Sequence, residues 1–339
     1  MAGTIQMTND YKSKSAVTET PLEHASLDTR YGAMSAPVWP EDLIVRALRA
    51  HGEWGAVETE LAARVIRDGC RLWDVGAFLG TFSLGVTQFV TPGAVVAIEA
   101  NRALLPYLTR NLRRGLPCSA EIVAAGVGAR RGWLTPTDAT ADKVNHGAQA
   151  YEYHGAQEGE PDNAVPCFTL AGLRRVHGDY DALKLDIEGA ELDALKGDYT
   201  YIKENQPVLW IECNETPQSL ELLSALRSLG YAPLYLAFPA FRRDNFRGNP
   251  DLIHPMAFEA ALVAARPGVL DGVDWQVAGE EIIMRPVMTH GDLRRALFDT
   301  PRWSRQDWLE LGRAELIARL GRGQRGQTLA EFLRSSQRT

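Results

Sequence analysis

Only four cysteines occur in 339 residues, Cys70, Cys118, Cys167 and Cys213, and no two of them form a CxxC pair. Structural zinc needs clustered thiolates, and disulfide scaffolds are short and Cys-dense, so neither is expected. Thiols that stay reduced in a cytoplasm fit better. No apolar run reaches the roughly 20 residues of a membrane helix, and "MAGTIQMTNDYKSKS" has no apolar signal-peptide core. Positive charge is also short, with 36 Lys and Arg against 43 Asp and Glu and a net charge of -7. A broad nucleic-acid surface requires the opposite balance. The chain therefore reads as cytoplasmic, without a membrane span and without a nucleic-acid partner.

Residues 1–38 are polar and show no apolar periodicity, which reads as a flexible N-terminal segment. Residues 39–268 read as one α/β domain that opens with helices, "EDLIVRALRAHG" and a second from about Ala56 to Arg67. Seven strand-like runs then follow: 72–75, 94–99, 121–126, 182–187, 207–212, 232–238 and 259–265. Helical stretches near 80–89, 103–114, 169–177, 190–197 and 218–230 separate most of them. Near-continuous apolar strands alternating with helices predict a mostly parallel sheet covered on both faces. Two stretches, 130–166 and 238–258, exceed what connections require and read as substrate loops. Residues 269–339 read as a C-terminal helical extension whose Trp303, Trp308 and Leu311 pack on the domain or on a second subunit of a homodimer.

The first strand ends in "LWDVGAFLGTFS" (72–83). Glycine lets backbone approach a ligand closely at such a turn. A dinucleotide loop needs G-x-G-x-x-G, but here Phe78 stands between Gly76 and Gly80 and would block a pyrophosphate. Asp74 lies two residues before Gly76, and a carboxylate there suits a cationic, phosphate-free cofactor. Glu99 closes the second strand, where an acid accepts the hydroxyls of a ribose. Together these residues fit S-adenosylmethionine. The cofactor site expected here comprises Asp74, Gly76, Ala77, Phe78, Gly80, Glu99, Ala100 and Asp186.

"DVGAFLGTFS" with "AIEANRALLPYLTRNL" resembles the opening of the FkbM family of S-adenosylmethionine-dependent methyltransferases. "YDALKLDIEGAELDALKG" (180–197) and "QPVLWIECNE" (206–215) resemble that family's signature segments, and the likeness covers roughly residues 54–265. It implies a Rossmann-like class I methyltransferase fold, with a seven-stranded sheet whose last strand is antiparallel. It also implies O-methylation of a hydroxyl on a natural product, sugar or glycolipid. Two positions depart from the pattern. Phe78 stands where members carry Asn, and "AAGVGARRG" stands where they often place Ser-Asp. Two other readings are a nicotinamide-linked oxidoreductase, which lacks its expected G-x-G-x-x-G here, and a catalytically silent protein that binds S-adenosylmethionine.

Lys184 and Asp186 are two apart on a strand and so share a face. A buried ammonium needs an acid, for which Asp186 and Glu212 are the candidates. Methyl transfer to oxygen requires the acceptor proton to be removed. Asp186, Lys184, Glu212 and His146 are the catalytic candidates, with His154 and His254 as further loop histidines. Asp186, Glu212 and Asn214 also resemble the oxygen-ligand set of magnesium-dependent catechol-type O-methyltransferases, which makes Mg²⁺ a candidate cofactor. Glu191, entering a helix, reads as structural. Tyr151, Tyr153, Phe241 and Phe246 are candidates to line an acceptor pocket.

Overall fold

A computed structural model describes residues 24–137, 149–254 and 257–301. It opens with a hairpin of β1 (His24–Thr29) and β2 (Gly32–Pro37), followed by helices α1 (Leu43–Ala50) and α2 (Ala56–Ala62). The polar stretch read as flexible through residue 38 is thus paired from His24 onward. Asn111 supplies the reason, because its side chain accepts from the Ser35 N–H at 2.7 Å and donates to the Ser35 carbonyl at 3.0 Å.

The alternating region follows as β3 (Arg71–Val75), α3 (Thr81–Val86), β4 (Ala94–Glu99), α4 (Leu105–Gly115) and β5 (Ser119–Ala124). A small sheet is then built from β6 (Gly126–Val127), β7 (Gly132–Pro136), β8 (Tyr151–Gly155) and β9 (Val165–Phe168). Helix α5 (Leu170–His177), β10 (Ala182–Leu185), α6 (Glu191–Lys196), α7 (Tyr199–Asn205), β11 (Val208–Glu212) and α8 (Pro217–Ser228) complete the parallel part. Last come β12 (Leu234–Pro239), β13 (Phe258–Ala264), β14 (Ile283–Pro286) and α9 (His290–Phe298).

The main sheet has the order β14-β12-β13-β11-β10-β3-β4-β5. From β5 through β11 all neighbours are parallel, and β13 runs antiparallel between β11 and β12. These seven strands are the ones legible in the sequence, and the seventh is antiparallel, as the family resemblance implies. The count of seven is corrected to eight by β14, which pairs antiparallel with β12. Its four residues, IMRP, are mostly exposed at the sheet edge and carry too short a pattern to register as a strand. The stretch from 130 also holds strands β7, β8 and β9, with β7 pairing both of its neighbours.

Alternation along β3 fills both faces of the sheet. Leu72 joins one buried apolar cluster with Val95 and Ala97, while Trp73 and Val75 join the opposite one with Val96 and Ile98. Strand order reverses between β3 and β10, since the chain leaves β3 for β4 on one side and adds β10 on the other. Such a switch point opens a crevice at the carboxyl ends of the strands. Histidine 146, residues 1–23 and the C-terminal Trp303, Trp308 and Leu311 lie outside the described residues.

Candidate functional site

A cleft of about 750 Å³ opens at this switch point. The loop between β3 and α3 forms one wall. Gly76 has φ +79, and a Cβ there would sit 1.8 Å from the Asp186 carbonyl oxygen. Only glycine lets the ends of β3 and β10 approach so closely. Two residues on, Phe78 occupies the left-handed region at φ 48, where a side chain other than Asn or Asp is uncommon. Its N–H donates to Glu99 Oε2 at 2.8 Å, and the Asn101 N–H donates to Glu99 Oε1 at 2.7 Å. Glu99 therefore joins the loops after β3 and β4. Burial raises the pKa of its carboxyl, and these two N–H groups oppose the rise.

Not every predicted cofactor residue reaches the cleft. Gly76, Phe78, Glu99, Ala100 and Asp186 line it, while Asp74, Ala77 and Gly80 do not. Asp74 is sealed beneath the loop, fully buried, with Ser83 Oγ donating to its Oδ2 at 2.7 Å. Direct contact with a cofactor is thus corrected to support of the loop from below. Gly80 has φ +86 and precedes α3, and a Cβ there would meet Leu112 at 2.7 Å. Its role is the tight entry into the helix.

Lys184 stands beside Asp74 in the β3–β10 register. Its Nζ lies 3.0 Å from Asp186 Oδ2 and 3.6 Å from Asp74 Oδ1, and it donates to the Gly76 carbonyl at 3.1 Å. Burial alone would lower the pKa of this ammonium, but Asp186, Asp74 and Glu58 outweigh burial and the net shift is upward. Lys184 stays charged and fastens the glycine loop to the end of β10. Of the two partners expected for it, Asp186 is in contact and Glu212 is not among its ion pairs.

The far half of the cleft is acidic. Asp186, Glu188, Glu212 and Glu259 line it beside Trp54, Trp210, Phe238 and Glu58. Burial raises Glu212 well above the usual carboxylate range, helped by Asp186 and Glu188. Glu188 sits on the open side, yet the cleft walls still desolvate it. That desolvation, with Asp186 and Glu259 adding repulsion, pushes it up to about 8. Glu58, arriving from α2, accepts from Trp210 Nε1 at 2.8 Å and is pushed up to about 7, first by burial. Nothing in the local sequence around Glu58 signals a site, because its approach depends on how α2 packs over the sheet.

Three other expectations change. Asn214 does not line the cleft; the chain turns there, and its carbonyl accepts from the Thr216 N–H and Ser219 Oγ. Among the described residues no histidine lines the cleft: His154 bonds Thr135, and His254 packs on Phe241. Tyr151 and Tyr153 do reach the cleft, whereas Phe241 stacks against His51 and Trp54 and Phe246 is exposed elsewhere. Glu191 closes the turn after β10 by accepting from the Ile187 and Gly189 N–H groups.

Residues 74–233 match the methyltransferase FkbM domain. The chain carries an FkbM methyltransferase domain. This FkbM domain begins at Asp74, so it contains the glycine loop, Glu99, Lys184, Asp186 and Glu212. Glu58 and Glu259 reach the same cleft from outside it. Among solved structures, the FkbM methyltransferase of Methylobacillus flagellatus is 20% identical, with 59% of this chain aligned and a TM-score of 0.36. This chain spans 44% of that protein's length. TrmK of M. capricolum, in complex with S-adenosyl-homocysteine, is 12% identical over 62% of this chain and 68% of its own, with a TM-score of 0.35. TYW2 of M. jannaschii, in complex with AdoMet, is 12% identical over 74% and 88%, with a TM-score of 0.35. No curated protein matches the chain.

Proposed function

We propose that the protein transfers a methyl group from S-adenosylmethionine to a hydroxyl oxygen of a small molecule. The observation that carries this reading is the two-part cleft: a glycine loop joined to Glu99 at one end, and a chamber of carboxylates at the other. Each Glu99 oxygen already holds one N–H and retains a lone pair for a ribose hydroxyl. Phe78, in place of a second glycine, disfavours a pyrophosphate, and an acidic cleft favours a cationic ligand. Gly76, Phe78, Ala100 and Tyr151 are the further contacts assigned to the nucleoside, with Asp74 and Lys184 positioning the loop.

In the reaction, the acceptor oxygen attacks the methyl carbon in line with the departing sulfur. A C–O bond forms, the C–S bond breaks with its electron pair going to sulfur, and the hydroxyl proton passes to a carboxylate. Alignment of the two reactants supplies much of the acceleration. Among the described residues the base is drawn from Asp186, Glu212, Glu188 and Glu58, since no histidine is at hand. The carboxylates and the aromatic walls suit an acceptor bearing several hydroxyls, which donate to the former while its carbon skeleton packs on the latter.

Calorimetric titration tests the cofactor. S-adenosylmethionine is expected to bind the wild-type protein and NAD is not, and Glu99→Ala is expected to weaken binding by at least about tenfold, one lost charged hydrogen-bond acceptor. Absence of heat with S-adenosylmethionine, or full affinity in Glu99→Ala, would sink the assignment.

A further inference from the structure

Beyond the glycine loop, three carboxylates converge from two neighbouring parallel strands. Asp186 and Glu188 follow β10, and Glu212 closes β11, so the sheet itself sets their spacing. One oxygen from each lies within 4.8 Å of the other two. Lys184 neutralises only one of the three, Asp186, at 3.0 Å. Its hydrogen bonds go to Asp186 and to the Gly76 carbonyl, and its remaining ion pair is with Asp74 on the opposite side. Among the described residues no ion pair reaches Glu188 or Glu212.

A second observation is independent of that proximity. Glu212 Oε2, on the cleft wall, is shut away from solvent and has no hydrogen-bond partner. A carboxylate oxygen held away from water without a donor is costly, and native structures rarely leave one so unless a ligand completes it. A neutral donor would satisfy one oxygen. It would not engage all three acidic groups at once, as a cation does.

From this we propose that Asp186, Glu188 and Glu212 bind a hard divalent cation, Mg²⁺ or Mn²⁺, at the acceptor end of the cleft. An all-oxygen, all-anionic donor set is the kind these ions select over softer metals. Glu188 takes the place that the sequence pattern gave to Asn214. The catalytic meaning rests on the methyl-transfer reading: a hydroxyl coordinated there would ionise more readily, with its proton passing to one of the flanking carboxylates. Binding of the ion itself does not depend on that reading.

The test is a titration of EDTA-treated full-length protein with Mn²⁺, followed by electron paramagnetic resonance, with Mg²⁺ as competitor. One Mn²⁺ per chain, displaced by Mg²⁺, is expected. Glu188→Gln and Glu212→Gln should each weaken binding at least about tenfold, each removing one anionic ligand. Glu188 is on the open side of the cleft, so Glu188→Gln carries the test even where Glu212→Gln fails to fold. S-adenosylmethionine is titrated in parallel by calorimetry. Intact S-adenosylmethionine binding with no Mn²⁺ bound at about 1 mM, or Mn²⁺ binding that survives Glu188→Gln unchanged, overturns the cation site. Mn²⁺ binding without S-adenosylmethionine binding leaves the cation site standing and removes the methyl-transfer reading instead.

Discussion

At Gly76 the backbone leaves no choice of residue. A methyl group there would overlap the Asp186 carbonyl, which is backbone and cannot rotate away. Gly76→Ala must therefore part β3 from β10 where Lys184 fastens them, and it is expected to cost roughly 3 kcal/mol or more in urea unfolding. Lys184 poses a related problem in charge. Lys184→Met would leave Asp74 fully buried with only Ser83 as a donor. Breaking a buried pair from one side typically costs about 3–5 kcal/mol, more than removing both charges. The double variant Asp74→Asn/Lys184→Met is expected to be more stable than Lys184→Met alone; equal or lower stability in the double variant would show that the pair is not the source of the loss.

Between elements, Asn111 on α4 does more than hold the hairpin. Its amide also donates to the Leu79 carbonyl at 3.0 Å, so one buried side chain ties β2 to the glycine loop. Asn111→Ala would strand the Ser35 N–H, the Ser35 carbonyl and the Leu79 carbonyl together. At about 1 kcal/mol per lost bond, the expected cost is about 2–4 kcal/mol, read as a lower urea midpoint with an unchanged slope. This tie also explains what was legible in the sequence. The seven strands stood out because each is a near-continuous apolar run, and Lys184 with Asp186 stood out because a strand's period of two puts them on one face. The hairpin did not, since its order comes from an asparagine far along the chain. Glu58 and Glu259 were invisible as site residues for the same reason: their place in the cleft is a property of packing, not of local pattern. Glu188 lies within the quoted motif, but its place in the site is not legible there, because the return of Glu212 beside it depends on β10 and β11 pairing.

The whole molecule gathers its acids in one place, which couples the cleft to global stability. Glu58 shows the sign. Its carboxyl is pushed up to about 7 in the fold, first by burial, from an ordinary value of 4.5. Below pH 4.5 both folded and unfolded chains hold that proton, so Glu58 has no effect on the pH slope there. Between 4.5 and about 7 the unfolded chain releases the proton and the folded chain keeps it, so its contribution falls as pH rises. Above that window the loss is complete and constant. Glu58→Gln keeps an oxygen for the Trp210 indole N–H while removing the charge. It is expected to flatten the unfolding midpoint across this window and to raise it at pH 8, with little change at pH 4. A midpoint at pH 8 below that of the wild type would mean that the attraction of Glu58 for Lys184 outweighs its burial, reversing the sign assigned here.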